Sequence, residues 1–135
     1  MKILHKLIYV AAIAISAGWF SAAYAEAPPL ETVDVKRGRL LASQGALLLD
    51  VRETDEYAEG HAPGSVLIPL GQLPSRLAEI KASEHKPVAV ICRSGKRSAR
   101  AAEILRQAGF TKVYNVQGGM YAWAHAGLPV IKGEK

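Results

Sequence analysis

Cysteine is nearly absent from this 135-residue chain: there is one, Cys92. A lone cysteine cannot close an intramolecular disulfide, so no disulfide framework can hold the fold. Histidine is scarce as well. Its four copies, at positions 5, 61, 85 and 125, are too scattered for any His/Cys cluster with zinc-ligand spacing, and neither a metal nor a cofactor is expected. No internal repeat is present. Carboxylates are missing from one stretch in particular. Between Ile91 and Ala102 there is none, while Arg93, Lys96, Arg97 and Arg100 all fall there. The only thiol therefore opens the most electropositive part of the chain.

Acidic residues are missing from the N-terminus too. In MKILHKLIYVAAIAISAGWFSAAYA, Lys2 and Lys6 form a positive start, Leu7 to Phe20 is uncharged and mostly apolar, and Ala23-Tyr24-Ala25 fits the small-residue cleavage rule. Residues 1–25 read as a secretory signal, cleaved after Ala25. As an anchor the uncharged span Leu7 to Ala25 would be Ala- and Ser-rich and near the lower limit of roughly 17–20 residues for a spanning helix, so no stable membrane association is expected after cleavage. In either reading the lysines stay on the cytoplasmic side and the remainder is exported. Removing Lys2 and Lys6 from 17 basic residues leaves 15 against 12 acidic ones, a net charge of +3. So mild a charge says little about partners, and export argues against nucleic acid.

The remainder, 110 residues from Glu26 to Lys135, is the size of one domain able to bury a modest core. A Pro-rich lead-in (26–31) precedes a domain over 32–131, and 132–135 is a tail. The spacing predicts a helix from Val35 to Ser43, with Asp34 as N-cap and Gly45 near its end. ALLLDV (46–51), SVLIPL (65–70), PVAVI (87–91) and KVYNV (112–116) read as strands, the first and third apolar enough to be buried on both faces. Between them ETDEYAEG reads as a short acidic helix. LPSRLAEIKAS is predicted helical from Leu73, Leu77 and Ile80, and Ser98 to Ala108 from Ala101, Ile104, Leu105 and Ala108. GGMYAWAHAG is a last short helix. Strands alternating with helices predict an α/β domain with a mostly parallel central sheet between two helical layers.

Cys92 then stands at the C-terminal end of a strand, in a loop that runs into a helix, which is where ligands bind in such sheets. Loop N–H groups, the helix N-terminus and the cations Arg93, Lys96, Arg97 and Arg100 are all expected to favour thiolate over thiol. A loop at a strand end is also expected to leave the sulfur accessible.

CRSGKRS resembles the active-site loop of the rhodanese-like sulfurtransferases, in which a cysteine opens a six-residue cradle, here Cys92 to Arg97. LLLDVRETDEYAEGHAPGSVLIPL (47–70) is similar to the family's upstream signature, and VYNVQGGMYAWAHAGLPV (113–130) to its closing segment. The three together, in order, cover the chain from about Thr32 to Ile131. The resemblance is to single-domain, exported bacterial members, which implies a periplasmic protein, expected to be a monomer. It implies that Cys92 attacks the outer sulfur of thiosulfate, carries a persulfide, and passes the sulfur to cyanide or to a thiol. Arg93, Ser94, Gly95, Lys96, Arg97 and Ser98 would cradle the sulfur and bind the donor, with Lys96 and Arg97 on the sulfonate. Members that act on phosphate or arsenate carry a loop one residue longer, with arginine six positions after the cysteine. Here that position is Ser98, which speaks against a phosphatase. A sulfur carrier acting on a protein thiol would use the same residues. A non-catalytic binding module is disfavoured, since such modules generally lack the cysteine.

Asp50 and Arg52 end the strand expected beside that of Cys92. They are candidates for pinning the loop, Asp50 through one of its arginines, or else form an ordinary ion-pair network with Glu53 and Glu56. His61 reads as a hydrogen-bonded turn residue, His125 as a helix cap and Trp123 as core. Gly118, Gly119 and Met120 are placed to border the site.

Overall fold

The computed structural model describes residues 27–133; the expected signal segment lies outside the described residues. Strands and helices alternate: β1 (Glu31–Val33), α1 (Val35–Ser43), β2 (Leu47–Asp50), α2 (Thr54–Glu59), β3 (Val66–Leu67), α3 (Leu73–Arg76), β4 (Val88–Ile91), α4 (Lys96–Gln107), β5 (Val113–Val116) and α5 (Gly119–His125). The strands form one sheet in the order β1-β5-β4-β2-β3, and every neighbouring pair is parallel. Among the described residues no helix is long and apolar enough to cross a membrane.

Period-two alternation along the central strands divides the core between the two faces of the sheet. Leu49 and Val51 from β2 and its end, Val88 and Val90 from β4, and Val113 from β5 face one side. There they pack with Leu73, Ile80, Ala101, Ala102 and Leu105 of α3, α4 and the segment between α3 and β4. Leu48, Ala89, Ile91 and Val116 face the other, against Val35 of α1 and Met120 and Trp123 of α5. The Trp123 indole N–H donates to the Pro129 carbonyl at 2.8 Å, so this ring packs in the core with its polar atom satisfied.

Two elements differ from expectation. β1 begins at Glu31, inside the Pro-rich segment read as a lead-in, and its first two residues are exposed. It is an edge strand held to β5 through its backbone, so no apolar alternation announces it. The stretch expected as one helix from Leu73 breaks into a single α-turn, α3, followed by 3₁₀ helix over Leu77–Ser83. Leu73 and Ile80 are buried all the same, and within the 3₁₀ segment Leu77 and Ile80 are three residues apart and so share a face.

From β2 the chain moves outward to β3, then crosses back over β2 to β4, and from β4 onward to β5. The direction of winding thus reverses between β2 and β4. The C-terminal ends of those strands form the crevice in which an open parallel sheet places its ligands. Cys92 follows β4 directly.

Candidate active site

Cys92 continues the alternation of Val88 and Val90, so its side chain turns toward α4 rather than outward. The residue is only 1% exposed, which corrects the expectation of an accessible sulfur. Beyond it the chain turns at Gly95, whose φ of +100° is a left-handed conformation suited to glycine. This turn lets α4 begin at Lys96, two residues earlier than expected, so Lys96 and Arg97 belong to its first turn. The loop wraps around the sulfur. The Gly95 N–H donates to Sγ at 3.1 Å, and Ser98 Oγ lies 3.3 Å from it. Loop carbonyls turn the other way. Those of Cys92 and Arg93 accept the Met120 and Tyr121 N–H groups of α5, at 2.7 and 3.0 Å. Gly119 makes that docking possible: a Cβ there would overlap the carbonyls of both Cys92 and Arg93, and its φ is +54°.

Burial pushes the Cys92 thiol up. A hydrogen bond with the Ser98 hydroxyl and those from the backbone N–H groups of Ser98, Gly95 and Ser94 outweigh that, and its pKa falls below the ordinary value. The lowering comes chiefly from short hydrogen bonds; of the four cations, Arg97 is the one that couples to the sulfur's charge. Arg93, Lys96 and Arg100 are exposed to solvent. Arg97 gives its planar fork to Glu56, at 2.7 and 2.8 Å. The same pairing holds the Glu56 carboxyl down at about 2 and raises the pKa of Arg97. Glu56 also accepts the Glu53 N–H at 2.9 Å in the capping box that starts α2, so one carboxylate ties α2 to the first turn of α4.

The other expected residues divide. Asp50 is fully buried and grips Arg52 through Nε and Nη2, at distances from 2.7 to 3.1 Å. Arg52 in turn donates to the carbonyls of Glu56 and Gly60. Asp50 therefore reaches no loop arginine. The pair fixes α2 and the turn after it, and its side chains reach the Cys92 loop through Glu56. Ser94 is exposed, with its N–H directed at the sulfur. His61 is buried in its turn, stacked on Tyr57 at 3.6 Å with Nδ1 2.8 Å from the Tyr57 carbonyl, and it makes no hydrogen bond to the loop. His125 closes α5 and stacks with Tyr121.

Asn115 escaped the sequence reading. It accepts a hydrogen bond from Ser98 Oγ at 2.6 Å and donates to the Gly95 carbonyl at 3.1 Å. Its signal was a lone amide in VYNV, on the same face as Val113 and hence on the face of Cys92.

Residues 36–126 match the rhodanese-like domain. The chain belongs to the rhodanese-like family of sulfurtransferases. A sulfurtransferase of Allochromatium vinosum is 38% identical over 96 residues, covering 71% of this chain and 88% of that protein. The chloroplastic thiosulfate sulfurtransferase 16 of Arabidopsis thaliana is 36% identical over 112 residues, covering 76% and 92%. Among solved structures, the human single-domain sulfurtransferase superposes with a TM-score of 0.64 at 32% identity, over 72% of this chain and 97% of that one. In this rhodanese-like domain the Cys92 loop offers a sulfur with converging N–H donors, a suitable environment for holding negative charge on sulfur.

Proposed function

We propose that this protein transfers sulfane sulfur from thiosulfate to cyanide or a thiol through a persulfide on Cys92. The observation that carries the reading is the ring of N–H donors on one sulfur, the Gly95 N–H at 3.1 Å and those of Ser94 and Ser98, with the Ser98 hydroxyl in hydrogen-bond contact beside them. The Cys92 thiolate attacks the outer sulfur of thiosulfate. A new S–S bond forms, the bond to the sulfonate sulfur breaks, and its electron pair leaves with sulfite. The persulfide anion then replaces the thiolate in the cradle and meets the same donors. A second nucleophile takes the terminal sulfur and returns Cys92 to thiolate. Lys96 is exposed at the mouth of the loop for the sulfonate, and Arg97 keeps N–H donors beyond the two it gives Glu56. The reading includes export: the signal-like residues 1–25 would deliver the domain to the periplasm.

The experiment is intact mass before and after thiosulfate, with and without cyanide. The expected result is a gain of one sulfur atom with thiosulfate and its loss with cyanide. An unchanged mass, with no sulfite released, would sink the persulfide mechanism. N-terminal sequencing of the secreted form, expected to begin at Glu26, tests the export reading.

A further inference from the structure

Beside the Cys92 loop lies a cleft of about 350 Å³ between α2, the loop and α5. Two of the four charged residues on its lining are already paired. Arg52 is closed on Asp50, and Glu56 on Arg97. Two charges on its lining remain without an ion pair among the described residues, Arg93 and Glu59. They belong to different elements. Arg93 follows Cys92 directly, while Glu59 lies three residues beyond Glu56 at the far end of α2. The opposite wall is apolar: Met120 and Tyr121 from α5, and Val130 from the C-terminal segment. Tyr121 is 72% exposed and Val130 40%, so the apolar surface continues past the cleft onto the rim.

A small inorganic donor uses none of this apart from Arg93. Thiosulfate gains nothing from Met120, Tyr121 or Val130, and Glu59 repels it. We infer that the cleft is the docking surface for a polypeptide thiol acceptor, a cysteine with a lysine or arginine and an apolar side chain among its close neighbours. The inference rests on the sulfurtransferase reading and names its acceptor. Arg93 draws the acceptor thiolate toward Cys92, Glu59 receives the basic neighbour, and the Tyr121–Val130 wall covers the apolar one. An apolar rim reaching beyond the cleft suits a peptide chain rather than a small aminothiol. In the step itself the acceptor thiol first loses its proton to solvent. Its thiolate attacks the terminal sulfur of the Cys92 persulfide, a new S–S bond forms on the acceptor, and the old S–S bond breaks with its electron pair on Cys92 Sγ. Charge and electrons balance with no oxidant.

The test loads the full chain with sulfur from thiosulfate, removes the excess, and follows the mass of protein and acceptor. Three cysteine peptides are compared: one with Lys and Leu beside the cysteine, one with Glu replacing the Lys, and one with Gly replacing the Leu. Cysteamine is a fourth acceptor, and rates are expressed per thiolate. The Lys–Leu peptide should discharge the protein about fivefold faster than the Glu peptide at low salt, with the gap closing as salt rises. Replacing Leu by Gly should also slow it, and Glu59→Lys should reverse the order of the Lys and Glu peptides. Equal rates for the peptides, or an unchanged order in Glu59→Lys, overturn the docking surface. Cysteamine matching the Lys–Leu peptide overturns the polypeptide acceptor. Cyanide is the control that separates the two readings. Discharge by cyanide without any peptide preference removes the docking surface alone, whereas a chain that takes up no sulfur removes the parent reading as well.

Discussion

The inner wall of the Cys92 loop and its outer rim are built from different physics. The inner wall is buried and holds its charge by geometry: Ser98 is fully buried, Asn115 nearly so, and their hydrogen bonds are short. The outer rim carries formal charges, but solvent screens Arg93, Lys96 and Arg100, and Glu56 occupies Arg97. Full charges in water interact more weakly than partial charges aimed at close range in a poorly solvated site. A loop that looks electrostatic in sequence therefore activates its sulfur mainly by hydrogen bonding.

The largest effect expected on that comparison is from Cys92→Ser, which should reduce sulfur uptake to background with native stability kept. A serine hydroxyl is nearly isosteric but remains protonated at neutral pH. Residual persulfide formation, read by mass, would place the chemistry elsewhere. Gly119→Ala comes next and acts on folding as well. Its Cβ would meet the Cys92 and Arg93 carbonyls at a left-handed backbone position, so α5 must lift away from the loop. A loss of about 2–4 kcal/mol in urea unfolding is expected, together with sulfur uptake.

Ser98 and Asn115 sharpen the comparison with changes of opposite sign. The Ser98 hydroxyl has one proton. Donating it to Asn115 Oδ1 leaves it only able to accept from the Cys92 thiol, whereas stabilising the thiolate requires turning it to the sulfur. The amide cannot flip to help, because its nitrogen is committed to the Gly95 carbonyl. Ser98→Ala should therefore raise the midpoint of iodoacetamide alkylation with pH. Asn115→Leu should lower it, since the hydroxyl is then free for sulfur while the Gly95 carbonyl keeps the Ala99 N–H. Shifts in the same direction would mean that Asn115 merely supports the loop.

Much of this was legible in the sequence because it depends on local pattern. The apolar runs marked β2 and β4, and an apolar run ending at Cys92 beside a cluster of cations marked the site. Asp34 was legible as a cap, and its carboxylate accepts the Arg37 N–H at 2.8 Å. What stayed hidden depends on contacts between distant segments. Glu56 and Arg97 are 41 residues apart, and nothing in either neighbourhood says that they pair. The burial of Cys92 follows from which face of β4 α4 covers, and Asn115 matters only because β5 lies beside β4. β1 was missed because an exposed edge strand needs backbone partners rather than apolar side chains.

A smaller effect separates the one buttressed rim charge from the rest. The Glu56 carboxyl, held near 2 by Arg97, has a folded pKa below its ordinary value near 4.5. Its contribution to stability is therefore complete above about pH 4.5 and fades as pH falls toward 2. Glu56→Gln should flatten that part of the acid limb, seen as a smaller drop in urea midpoint between pH 5 and about pH 2.5. An acid limb unchanged by the substitution would mean that the Glu56–Arg97 pair adds no net stability.

The smallest effect should come from Arg100→Ala. Arg100 sits on α4 beside Leu70, Gly71, Pro74 and Ile104, in a different surface hollow from the Cys92 cleft. It is exposed, and at physiological ionic strength its field is screened over about 8 Å. The alkylation midpoint and the rate of sulfur uptake should both stay near those of the native chain, and stability within about 0.5 kcal/mol. Repeating the measurement at low salt sets the sharper limit, because any long-range contribution is then largest. If Arg100→Ala raised the midpoint as much as Ser98→Ala, and salt abolished the difference, the sulfur would be governed by the charge of the rim. The hydrogen bonds of the inner wall would then be secondary, and the division between the two sides of the loop would fail.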